Sequence, residues 1–144
     1  MRLLSSVFLI CLVLSCCRTH GRLVGVQNRP AFTKDVLIDK SYTPPTEFDF
    51  TIDSLQLLPG SDVLNVYVTY SGGCKEHSFD LVTTGALMKS MPPQMRLYLK
   101  HERNGDACRE QKTDTLGFNL KPLQQASTKT IVLRMGDKSA TYKY

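Results

Sequence analysis

Two short stretches hold most of the side chains capable of chemistry. They are Cys74-Lys75-Glu76-His77, and His101 followed by Cys108 seven residues later. Paired thiols in an oxidising compartment form a disulfide, and the histidines then cap strand faces through hydrogen bonds. Kept reduced, Cys74, His77, His101 and Cys108 offer the sulfur and nitrogen donors of a tetrahedral zinc or copper site. The Cys-x2-His spacing suits that use, whereas the six residues between His101 and Cys108 make a loose ligand pair. A catalytic Cys/His pair needs a reactive thiol held reduced, which an exported chain lacks without a redox partner. The Cys74–Cys108 disulfide is the first reading, and the metal set is its alternative. Such a bridge would stabilise the fold by roughly 3–4 kcal/mol on the chain-entropy model.

These residues need β-strands to position them. Phe48, Phe50 and Ile52 share one parity, with Asp49 and Thr51 on the other, so a half-buried strand is expected. The parity then moves to Leu55 and Leu57, which predicts a bulge near Asp53-Ser54. Pro59-Gly60 turns the chain into a strand over 62–70, with Leu64, Val66, Val68 and Tyr70 on one face. Further strands are expected over 76–83, 94–101 and 115–120, the second carrying Met95, Leu97, Leu99 and His101 inward. A helical turn fits 123–126, and Gly136-Asp137 suits a hairpin between 130–135 and 138–144. Val36-Leu37-Ile38 reads as an edge strand. Pairing 76–83 with 94–101 by matched parity places His77 opposite His101, with both cysteines at that end of the sheet. The pattern predicts an all-β chain: a single small antiparallel β-sandwich of seven or eight strands.

The N-terminus gives an address. Met1 and Arg2 precede an uncharged apolar run through Leu14, the composition of a secretory signal peptide. That run is shorter than the roughly 20 residues a spanning helix needs. Val13-Leu14-Ser15-Cys16 resembles the lipobox of bacterial lipoproteins, which implies cleavage before Cys16 and lipid on its sulfur. Cys17 offers a second register, and ordinary signal cleavage with a soluble secreted product is the alternative. The organisation expected is a leader over 1–15, a lipidated tether over 16–46 and the sandwich over 47–144. The membrane, through the lipid, is the first partner implied.

Other chemistries have little support. With 18 basic and 13 acidic residues the net charge is +5, and loss of Arg2 with the leader leaves +4. The charges are mixed rather than clustered, and export adds a second argument against nucleic acid. No carboxylate pair for glycoside cleavage is legible. Ser71-Gly72-Gly73 lacks the lysine and helix of a phosphate loop. Tyr67, Tyr70, Tyr98, Tyr142 and Tyr144 fall on expected strands, as core or cross-strand partners rather than a sugar platform. The expectation is a binding or structural module without enzymatic activity, with no cofactor unless zinc or copper is held. An envelope protein or a glycan is the expected partner.

Residues 70–81, 90–94, 99–101 and 105–108 carry Gly-Gly-Cys-x-x-His and Gly-Asp-x-Cys pieces. In these the chain resembles a set of cell-envelope lipoproteins of bacteria with Bacteroidota-like surfaces, over about residues 64–120. The resemblance implies a secreted β protein of the bacterial cell envelope, on the periplasmic or surface side of the outer membrane. It implies no activity.

Overall fold

A computed structural model describes residues 33–144 of the chain. The leader, Cys16, Cys17 and the tether up to residue 32 lie outside the described residues. Among those described there is no α-helix, and no helix is long and apolar enough to cross a membrane.

The alternating segments become strands where expected. β3 (Phe50–Leu57) and β4 (Val63–Gly72) form an antiparallel hairpin whose register shifts between Ile52 and Ser54. One extra residue there restores inward parity, so Ile52 and Leu55 both pack on the core. On β4, Leu64, Val66 and Val68 are fully buried. β9 (Glu110–Asn119) pairs along the whole of β4, starting five residues earlier than its alternation of Leu116 and Phe118 shows. Its first half is polar because that part of the ladder lies at the surface.

Among the described residues eleven strands are present rather than seven or eight, and the sheets are mixed rather than antiparallel. The cause is a pair of crossings. β1 (Thr33–Asp35) runs parallel to β9, whereas β2 (Leu37–Ile38) runs parallel to β5 (Ser78–Thr83). Val36 sits at the step, 3% exposed, and its N–H reaches Asn119 O. The stretch 94–101 divides in the same way, correcting its reading as one strand. β7 (Gln94–Arg96) runs parallel to β10 (Thr130–Met135), and β8 (Tyr98–Glu102) pairs antiparallel with β5. Leu97 marks this crossing, donating its N–H to Arg134 O. Met95, Leu97 and Leu99 are all buried, since alternation records which face meets the core and not which strand lies alongside.

The sheets are therefore β1-β9-β4-β3, β2-β5-β8 and β11-β10-β7-β6, where β6 is Leu87–Met88 and β11 is Lys138–Lys143. All three contribute to one core. β10 and β11 form the expected hairpin, with Gly136 at φ 61° in the turn. The helical turn lies at Lys121–Leu123 rather than 123–126, and it is a 3-10 turn that begins after Leu120. Tyr142 anchors the last strand: its hydroxyl donates to Asp62 and accepts from Gln124. Burial, aided by that bond to Asp62, pushes the hydroxyl pKa up to about 12.

Leu97 joins two sheets through one side chain. Truncation by Leu97→Ala is expected to cost about 2–5 kcal/mol, read from urea unfolding. A loss below about 1 kcal/mol would show that the crossing tolerates the cavity.

Candidate functional site

The Cys/His stretches do meet, and what organises them is a carboxylate. β4 ends at Gly72, and the chain turns through Gly73 at φ 116°. The N–H groups of Gly73, Cys74 and Lys75 all donate to one oxygen of Asp106, each at 3.0 Å. The other oxygen accepts the Cys108 N–H at 2.8 Å. Successive N–H groups aimed at one point make an anion nest, here filled by the protein's own side chain. The carboxylate is wholly buried, and these bonds, foremost those from Cys108 and Lys75, hold its pKa well below the usual carboxylate range.

Cys74 and Cys108 are joined by a disulfide with their Cα atoms 5.9 Å apart. The bridge and Asp106 thus tie the same two segments. Around them the backbone leaves no spare room: a Cβ on Gly72 would lie 2.6 Å from His77 Nε2.

A line of ring nitrogens leads outward from Asp106. His77 Nε2 is 3.2 Å from Asp106, His77 Nδ1 is 2.8 Å from His101 Nε2, and His101 Nδ1 is 2.7 Å from Asp49. Both imidazoles are buried, at 1% and 2% side-chain exposure, while Asp49 is at the surface. Each outer nitrogen faces a carboxylate and the two inner nitrogens face each other, so the tautomer of each ring sets which nitrogen donates.

The rings are held by packing. His101 stacks on Phe79 at 4.3 Å, and Tyr70 lies 4.7 Å from His77. The Tyr70 hydroxyl donates to Asp114, and burial together with that carboxylate pushes its pKa up. Arg103 closes the shell, with Nη2 donating to Asp106 O and Nε lying 3.6 Å from Asp49.

The expected pairing of His77 opposite His101 is corrected. His101 pairs with Phe79, and His77 lies one residue before the start of β5, reaching His101 diagonally. Of the four residues considered for zinc or copper, the two sulfurs are bonded to each other, and neither His77 nor His101 joins them in a close set of donor atoms among the described residues. Donor atoms of Cys74, Asp106 and Cys108 fall within 4.8 Å. Metal binding through thiolates would require reduction of the bridge first. Sequence reasoning passed over Asp106, Asp49, Tyr70 and Arg103. Asp106 looked like an ordinary turn residue after Asn104-Gly105, and Asp49 like the solvent side of an alternating strand.

The outer end of the line opens on a shallow groove of about 570 Å³, where Asp49 and His101 face Tyr42, Pro45, Phe48 and Lys100. Phe48 is not part of β3, as its parity suggested, but stands 51% exposed beside that groove. On its other side a second groove of about 490 Å³ is lined by Pro44, Pro45, Met88, Arg96, Tyr98 and Arg134, among others.

With this geometry in view, the chain can be set beside known proteins. The model of the NigD-like C-terminal beta sandwich domain matches residues 49–144. The chain belongs to this family. Among solved structures it is similar to a NigD-like immunity protein from Bacteroides caccae, at TM-score 0.52 and 19% identity. That match covers 72% of this chain and 52% of the other, so the NigD-like chain described here spans about half of that protein. A proposed toxin-related protein from Parabacteroides distasonis is similar at TM-score 0.46 and 17% identity, covering 78% of this chain and 60% of that one. A proposed lipoprotein from Bacteroides fragilis follows at TM-score 0.47 and 12% identity, covering 78% and 69%. At such identities the likeness is one of fold. No curated protein matches the chain.

The lowered pKa of Asp106 carries a signed expectation. Its stabilising contribution is complete above the unfolded-state value of about 4 and is lost as the pH falls through the lower folded-state value. Asp106→Asn should therefore be less stable than the parent at neutral pH, with the gap narrowing in acid. Thermal unfolding between about pH 7 and pH 2 checks this, and a gap that stays constant contradicts it.

Proposed function

We propose that this chain is a lipoprotein of the bacterial cell envelope, anchored at Cys16, whose sandwich binds a protein partner and catalyses no reaction. The observation that carries the reading is Phe48, an aromatic ring half exposed between two open grooves. An exposed aromatic beside concave surface is the type of residue that anchors protein interfaces. Pro44 and Pro45 stiffen the approach to it, which lowers the entropy lost on binding. The His77–His101 line ends at this face and is satisfied within the protein, so it acts in this reading as a rigid footing for Asp49. The disulfide agrees with an oxidising destination. The reading includes no nucleic acid and no resident cofactor.

Two measurements test it. Metabolic labelling with radioactive palmitate is expected to mark the protein and to vanish in Cys16→Ala, and retained label overturns the anchor assignment. A benzophenone amino acid at position 48 is expected to give a discrete protein adduct in intact cells on illumination, whereas one at position 127, in the exposed turn before β10, is not. Equal adducts at both positions, carbohydrate adducts only, or none at position 48 overturn the binding face.

A further inference from the structure

The second groove differs from the first in its charge. Its lining includes two arginines and no acidic residue, whereas the first groove holds Glu47 and Asp49. Arg96 on β7 and Arg134 on β10 are direct partners in the parallel ladder, on strands about 4.8 Å apart. Each lies between buried neighbours: Met95 and Leu97 for the first, Leu133 and Met135 for the second. Alternation therefore turns both guanidinium groups outward on the same face. Like charges placed directly opposite in a sheet repel. Among the described residues neither arginine takes part in a salt bridge, and Arg134 reaches only the Gln94 side-chain amide oxygen, at 3.3 Å. Other cations of the protein do find carboxylates, as in Lys100–Glu102, Lys138–Asp137 and Arg103–Asp49.

We propose that this groove binds an acidic segment of the partner protein, with Arg96 and Arg134 together taking a carboxylate. The inference rests on the binding-module reading and names the chemistry of its partner. A planar guanidinium matches a carboxylate through two parallel hydrogen bonds, and a second guanidinium beside it gains relief from repulsion when the anion arrives. The remaining walls choose among anions. Pro44, Pro45, Phe48 and Met88 present aliphatic and aromatic surface, with the pliable thioether suited to irregular apolar side chains. A segment that alternates acidic with apolar residues satisfies both halves of the groove. A phosphate ion or sulfated glycan satisfies only the arginines.

Fluorescence anisotropy of the full-length protein with a dye-labelled (Glu-Leu)3 peptide tests the assignment. The (Gln-Leu)3 peptide serves as the uncharged control. Binding of the acidic peptide is expected, weakened about tenfold or more by Arg96→Gln or Arg134→Gln, and only slightly altered by Lys112→Gln on β9. No binding, equal binding of the (Gln-Leu)3 peptide, or unaltered binding in both arginine variants overturns it. Displacement of the peptide by lower concentrations of phosphate or a heparin tetrasaccharide also overturns it, in favour of a simple anion site. Circular dichroism verifies that the exposed substitutions leave the fold intact. If the position-48 adduct survives Arg96→Gln with Arg134→Gln in cells, the groove assignment fails while the binding module stands. If no adduct forms in the parent protein, the module itself fails.

Discussion

One buried carboxylate sets the geometry of a whole end of this molecule. Asp106 accepts hydrogen bonds from four backbone N–H groups, three of them consecutive, and a fifth contact comes from His77. A charge without solvent is tolerated only where fixed dipoles replace the lost water, and the chain supplies those dipoles by turning sharply after β4. The turn in turn demands Gly72 and Gly73, because a side chain at the first would strike His77 and the second holds a positive φ. Carboxylate, glycines and imidazole are therefore a single arrangement. None of its parts could be exchanged without disturbing the others.

The disulfide and the carboxylate tie the same segments by different physics. The bridge restricts the unfolded chain by closing a loop of 34 residues. Asp106 acts on the folded state, giving the N–H groups of the turn a common acceptor. Asp106, His77, His101 and Asp49 form the line of hydrogen bonds, and Tyr70, Phe50 and Phe79 pack against its rings. The proposed binding face lies beyond that line, on the segment that carries Pro44, Pro45 and Phe48.

The two crossings have a related consequence. Because β7 and β8 are one run of chain shared between sheets, the groove floor built by Arg96, Leu97 and Tyr98 belongs to both sheets at once. The loop over 39–49 leaves β2 and lies across this junction before entering β3. The exposed face is thus mounted on a junction of two sheets, so a partner of the proposed kind would meet a preformed surface.

Local patterns were enough for the longer strands and most of their inward faces. The parity change after Ile52 marked the bulge, Gly136-Asp137 marked the last hairpin, and two cysteines in a chain expected to be exported pointed to the bridge. These features are written in consecutive residues, because side-chain parity and turn chemistry act within a few positions. Partner choice is not local. Val36 and Leu97 look like ordinary inward residues, and only the packed molecule shows that the chain changes sheets there. The same holds for Asp106, whose turn context hid a role that depends on N–H groups more than thirty residues away. The pairing of Arg96 with Arg134 across β7 and β10 is also a product of tertiary register. Sequence determined which faces are apolar and which residues could react; only the fold decided which of them meet, since contact between distant segments depends on the packing of the whole core.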